Sequence, residues 1–217
     1  FFAAHWFAGL SWSVAGVYSA IVLATGPTVV TPLVRQIRLA SPLSDVLEAE
    51  GLILEPIGAV LALLLLELVV GDLHGWKELF IGLLSRLGGG VLIGSLAGLL
   101  LSEGLKRLRT EPYIGLRLQL TLGVIFLLYG VCEWLLPESG LPASVAAGFV
   151  VGQRPSTQAN ELDKLIRELA QLAITMLFPL LAADVSWGEL SPLGWGGITC
   201  VLFLMVVVRP LAVSIAT

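Results

Sequence analysis

The stretch "ATGPTVVTPLVRQIRLASPLSDVLEAEGLILEPIGA", residues 24–59, sets prolines and carboxylates inside a chain that is otherwise apolar enough to dissolve in lipid. Pro27 has no amide proton and clashes with the carbonyl of Leu23, and Gly26 beside it adds backbone freedom, so a helix through this stretch is expected to unwind near Thr25-Gly26-Pro27. Unwound backbone at membrane depth persists only where it lines a cavity or packs on other protein. Glu55 stands further on, about one-third of the way into the next apolar run, and Pro56 directly after it frees the carbonyl of Leu52. An ionised carboxylate at that depth costs several kcal/mol unless it is protonated, paired or ion-bound, so Glu55 is a functional-site candidate by default. Glu50 precedes it by five residues, which on a regular helix turns the two side chains about 140° apart and toward different neighbours.

Composition agrees with lipid as the solvent. Of the 217 residues, 57% are hydrophobic, mean hydropathy is +0.94, and the 13% that are charged gather between long apolar stretches. That pattern defines an all-α polytopic membrane protein. No basic patch interleaved with aromatics points to nucleic acid, and Cys132 and Cys200 lie in apolar runs without metal-ligand spacing, as buried small hydrophobes do. The chain opens on Phe1 without a basic leader and stops at Thr217 within an apolar run, so residues 1–217 read as one transmembrane segment internal to a longer protein, with no soluble domain.

A bilayer core of about 30 Å takes about 20 apolar residues per helix, and seven stretches approach that length. Their cores are 8–33, 46–70, 83–103, 117–136, 141–153, 168–186 and 194–216, the fifth being short. Lys and Arg fall mainly in alternate loops: Arg35 and Arg38, then Lys106, Arg107, Arg109 and Arg117, then Arg154, Lys164 and Arg167. By the positive-inside rule the first span runs from outside to cytoplasm, in a cell (inner or plasma) membrane. Trp6, Trp12, Trp134, Trp187 and Trp195 cluster at the expected outer ends as an aromatic belt would. Glu67, Glu133 and Asp184 are placed at the same interface, Asp72 and His74 in an outer loop, and His5 at the outer edge. Gly90, Gly94, Gly98 and Ser102 put a small residue at every fourth position, a stripe that lets another helix approach closely. Arg209, within the last apolar run, keeps its charge and needs an anion or an aqueous path; Glu50 and Glu55 are the acids at similar depth.

"ATGPTVV" followed by "EGLILEPIGA" resembles the paired signature of the sodium/proton exchangers of the NhaP type, in the cation:proton antiporter superfamily. The resemblance is strongest to the subgroup that writes A-T-G-P and E-G-x-x-x-D-P-I-G-A. "LQLTLGVIFLLYGVCEWLLPESGLPASVAAGFVVGQ", "LDKLIRELAQLAITMLFPLLAADV" and "VVVRPLAV" are similar to later helices of that family in the same order. The resemblance implies an inverted-repeat antiporter fold, broken near Thr25-Pro27 and at Pro56, working as a homodimer in the full-length protein. It further implies a secondary transporter that exchanges Na+ or K+ for H+ by alternating access, with no cofactor beyond the transported ions.

Carried over by position, Glu55 is the carboxylate that carries proton or cation, Thr25 the threonine of the first broken helix, and Glu50 the partner of Arg209 in a structural ion pair. Gly26 stands where the family has aspartate, Gly51 where it has serine and Leu54 where it has asparagine. Three side-chain oxygens of the sodium site are thereby lost, and weak or no discrimination of sodium from potassium is expected. The alternative from another class is a passive ion channel or ion-sensing membrane domain, with Glu55 as a pore carboxylate and no proton counterflow. Neither H-E-x-x-H nor G-x-S-x-G occurs, which argues against an intramembrane hydrolase.

Overall fold

In the computed structural model the described residues are 1–23, 41–71, 73, 75–107, 114–153, 159–186, 188, 194–208, 210, 211 and 214. Among the described residues eight helices follow one another: α1 (Phe2–Trp6), α2 (Trp12–Leu23), α3 (Ser41–Val70), α4 (Trp76–Arg107), α5 (Ile114–Leu135), α6 (Gly140–Gly152), α7 (Ala159–Asp184) and α8 (Gly194–Phe203). A π-helical turn, Leu204–Val208, continues α8. Among the described residues there is no strand, as lipid requires: a helix pairs its own backbone groups, whereas an open sheet edge would leave them bare.

Among the described residues four helices contain segments long and apolar enough to cross a bilayer: Ala49–Val70 in α3, Trp76–Arg107 in α4, Gly115–Leu135 in α5 and Ile166–Asp184 in α7. The apolar helices Trp12–Leu23, Gly140–Gly152 and Gly194–Val208 are shorter. The expected short fifth span is thus seen in α6. The first span differs from expectation at its start, because a continuous helix does not run from residue 8. Gly9 adopts φ +66, in the left-handed region that glycine enters freely, and turns the chain between α1 and α2. His5, in the last turn of α1, braces this turn, with Nδ1 2.6 Å from the carbonyl oxygen of Leu10 and its ring stacked on Trp12 at 3.8 Å. Trp6, Trp134 and Trp195 are exposed, as belt residues facing lipid headgroups would be.

α3 also departs from expectation. It runs without interruption through Pro56, so the break expected there is absent. A proline removes one hydrogen bond from a helix of thirty residues, and the apolar packing on either side of it holds the remainder in register. Hydroxyls are satisfied within their own helices by donating back to a carbonyl four residues earlier: Ser19 to Ala15 at 2.6 Å, Thr121 to Arg117 at 2.8 Å and Ser144 to Gly140 at 2.8 Å.

The closest packing joins α4 to α6 through the small-residue stripe. Gly90, Gly94, Gly98 and Ser102 are all buried. A Cβ on Gly90 would come within 2.6 Å of the Ser139 carbonyl oxygen, one on Gly98 within 2.7 Å of that of Ala147, and one on Gly94 would collide with the backbone of Ala143. Since residue numbers rise together along this contact, α4 and α6 run parallel, with α5 returning between them. Leu128 and Cys132 of α5 complete the core with Ala143 and Ala147. A second core joins α3 and α4 through Val60, Leu64 and Leu79. A third joins α1, α2 and α8 through Ala3, Ala4, Ala15 and Cys200. α3 therefore has neighbours in α2, α4 and α6, which makes it a central helix of the described bundle.

Candidate ion-binding site

Glu55 is the fifteenth residue of the thirty in α3, and within the apolar segment Ala49–Val70 it stands about one-third of the way along, as the sequence leads one to expect. At 1.5 Å per residue it lies about 9 Å from the start of that apolar segment and about 22 Å from its end at Val70. Its side chain is half-buried. One turn before it stands Gly51 and nearly one turn after it Gly58, both buried and both on the same face of α3. Pro56 is buried beside it, and Leu54, where the family has asparagine, is half-buried. Glu50 is exposed, a different environment from that of Glu55, as the angle between the two positions leads one to expect. Thr25, Gly26, Pro27 and Arg209 lie outside the described residues, so neither the first broken helix nor the Glu50–Arg209 pair has a described geometry.

The contrast with other apolar space in the protein is informative. A groove of about 420 Å³ between α4 and α5 is lined by residues such as Ile93, Leu96, Leu100, Leu120, Val124 and Leu127. It offers no oxygen ligand and no charge, and is unsuited to a cation. Among the described residues no group of three or more His, Cys, Asp or Glu side chains gathers as a divalent-metal site would require. A single carboxylate midway along an apolar helix suits instead a monovalent ion or a proton, which need neither a high ligand charge nor a fixed polyhedron.

A second polar constellation, at the end of the bundle that carries the α3–α4 and α5–α6 turns, was not assembled from sequence. Arg86 of α4 donates from Nη2 to both oxygens of Glu67 on α3, at 2.9 and 3.1 Å. Across from it, Glu133 of α5 accepts the amide protons of Glu138 at 2.9 Å and Gly140 at 3.2 Å, satisfying the start of α6 and placing negative charge at a helix N-terminus. Ser139 donates to the carbonyl of Cys132 at 3.0 Å and closes the same turn. Burial and the negative charge of Glu133 raise the Glu138 carboxyl above its ordinary value, with Arg86 acting in the opposite sense. The sequence signal for these contacts was present, since charged residues are rare in this chain and four of them flank two turns. Their pairing depends on how the two helical hairpins dock.

Apolar helices long enough to cross a bilayer, packed on one another among the described residues, define a multi-pass membrane protein. The chain belongs to the sodium/hydrogen exchanger family: the model of its transmembrane region, "Sodium/hydrogen exchanger, transmembrane", matches residues 1–217. The chain is also similar to the probable Na(+)/H(+) antiporter 2 of Methanocaldococcus jannaschii, with 25% identity over 212 residues. That alignment takes in 92% of this chain and 49% of the relative, so the chain spans about half the length of the protein it matches. No solved structure matches it.

Proposed function

We propose that this chain forms the carboxylate-bearing part of a monovalent cation:proton antiporter, in which Glu55 alternately binds a proton and Na+ or K+. The observation that carries the reading is the position of Glu55: half-buried, midway along the thirty-residue helix α3, in a chain of the sodium/hydrogen exchanger family. Competition of the two ions for one carboxylate gives exchange, because the site is occupied by either but not by both, and alternating access exposes it to each side in turn. Thr25 and the backbone around Gly26 supply neutral oxygens to the same site, and Glu50 with Arg209 forms an ion pair that holds the neighbouring helices. The full-length protein works as a homodimer in the cell membrane.

The test is coupling. With the full-length protein in proteoliposomes, an imposed Na+ or K+ gradient should drive proton movement in the opposite direction, read by a pH dye sealed inside. Cation flux without proton counterflow would identify a passive channel and refute the antiport reading.

A further inference from the structure

The groove between α4 and α5 is one lipid leaflet long. Its wall on α4 runs from Ile93 to Gly104 and its wall on α5 from Leu120 to Val131. At 1.5 Å per residue each wall is about 16 Å long, close to half of a hydrocarbon core of about 30 Å. Toward the middle of the bundle the gap between the helices is filled, since a Cβ on Gly89 would come within 2.8 Å of Leu136. At the other end the helices meet at Gly104 and Leu120, where an added Cβ would lie 3.4 Å from the leucine. Leu96, Leu100 and Leu127 are exposed, so the groove opens sideways to lipid. Its volume is about 420 Å³, and no polar side chain lines it.

Charge begins where the groove ends. On α4 the line Ile93, Ala97, Leu100, Gly104 reaches Arg107 at its next step, and on α5 the line from Val131 back through Val124 and Leu120 reaches Arg117. Because Gly104 and Leu120 touch, both arginines stand at the same end of the groove. Arg107 is exposed, and no acceptor holds it among the described residues. Lys106 beside it is bonded to Glu103 at 2.9 Å, and Arg117 is buried in the first turn of α5. Three basic residues thus stand against one acid at this end, and Arg109 and Glu111, in the linking sequence outside the described residues, cancel. We propose that the groove binds an anionic glycerophospholipid, with one acyl chain along α4 and α5 and the phosphate at Arg107. Within a bilayer an acyl chain gains no hydrophobic energy by leaving other chains for a groove, so the groove positions the chain and the headgroup decides which lipid stays. A guanidinium offers a phosphate two parallel donors, and Lys106 adds a second cation at the same edge. A phosphocholine headgroup sets its own ammonium against the same surplus of positive charge and is held less well. The site is independent of Glu55 and of the ion exchanged.

Photolabelling of the full-length protein in detergent micelles tests it, with phosphatidylglycerol and phosphatidylcholine that carry the same diazirine-bearing acyl chain. Labelled peptides are located by mass spectrometry. Those of α4 and α5 that line the groove should be labelled by phosphatidylglycerol at about fivefold lower lipid concentration, equivalent to about 1 kcal/mol for one basic residue facing an anionic lipid. Arg107→Gln, at an exposed position outside the core, should remove this preference, and Leu100→Trp, which fills the groove, should reduce labelling by both lipids. Lys77→Gln, in the first turn of α4 at its opposite end, should leave the preference unchanged. Equal labelling by the two lipids in wild type, a preference that survives Arg107→Gln or is lost equally in Lys77→Gln, or undiminished labelling of Leu100→Trp would overturn the proposal. So would the absence of label from the groove, the result expected if another helix of the full-length protein covers it.

Discussion

Gly94 of α4 meets Ala143 of α6 backbone to backbone, with no space for a side chain between them. This contact sets the distance between two parallel helices, and the glycines one turn to either side, Gly90 and Gly98, repeat it against Ser139 and Ala147. Lipid provides no hydrophobic drive for two helices to associate, so close backbone approach and the dispersion contacts it allows supply the attraction. Gly94→Leu should therefore destabilise the detergent-solubilised full-length protein by about 3 kcal/mol or more, since backbone cannot yield as a flexible side chain does. Gly123→Ala is the control: nothing lies within 4 Å of the added methyl on α5, and a gain of up to about 1 kcal/mol is expected from helix propensity. Thermal unfolding of both variants checks the contrast, and equal behaviour would show that α4 and α6 do not meet at the stripe.

The turn between α5 and α6 gives a stability effect with a defined sign. Burial and Glu133 raise the Glu138 carboxyl above its ordinary value, so the folded protein binds that proton more tightly than the unfolded chain. Its contribution to stability is then fully present below the ordinary carboxylate range and is lost as pH rises through the raised value. In thermal melts across this window, wild type should lose stability relative to Glu138→Gln as the pH increases. Glu133→Ala should lower stability at every pH, by roughly 1–3 kcal/mol, because two amides at the start of α6 lose their acceptor. A difference between wild type and Glu138→Gln that stays constant with pH would contradict the assignment.

Selectivity should follow from the residues that replace the family's oxygen ligands. On the proposed reading of the site, Gly26, Gly51 and Leu54 at those positions leave few strong-field groups to offset the larger dehydration penalty of the smaller ion. The full-length protein is expected to exchange Na+ and K+ at comparable apparent affinity, and Gly26→Asp to increase Na+ affinity by adding a second acid near Glu55. Exchange assayed with each cation at matched pH checks this. A native Na+ preference of about tenfold or more, equivalent to about 1.4 kcal/mol, would require a ligand not named here.

Much of this architecture was legible in the sequence because lipid leaves the backbone few choices. Apolar runs of sufficient length must be helices, and the short run 141–153 appeared as the short helix Gly140–Gly152. The stripe from Gly90 to Ser102 announced a close helix contact, but its partner, α6, is set by tertiary docking and not by spacing. Pro56 misled, since proline constrains a helix locally while packing around it decides whether the helix breaks, and α3 continues through it. Arg86 and Glu67 are nineteen residues apart on separate helices, and Glu133 reaches its two amides through a turn whose conformation no pattern of residue types specified. Glu55 stands out in the sequence because a carboxylate in an apolar run is conspicuous wherever the fold puts it; its role is the proposal tested below.

The central claim is that Glu55 carries the exchanged ions, and pH-gradient-driven Na+ or K+ exchange by the full-length Glu55→Gln variant in proteoliposomes tests it most directly. Glutamine keeps the size and hydrogen-bonding capacity of the side chain but neither titrates nor neutralises a cation. The variant should reach near wild-type folded yield and show no exchange above protein-free vesicles, while Glu55→Asp, which restores a carboxylate at the same position, should retain exchange. Wild-type exchange by Glu55→Gln at matched protein density would contradict the account.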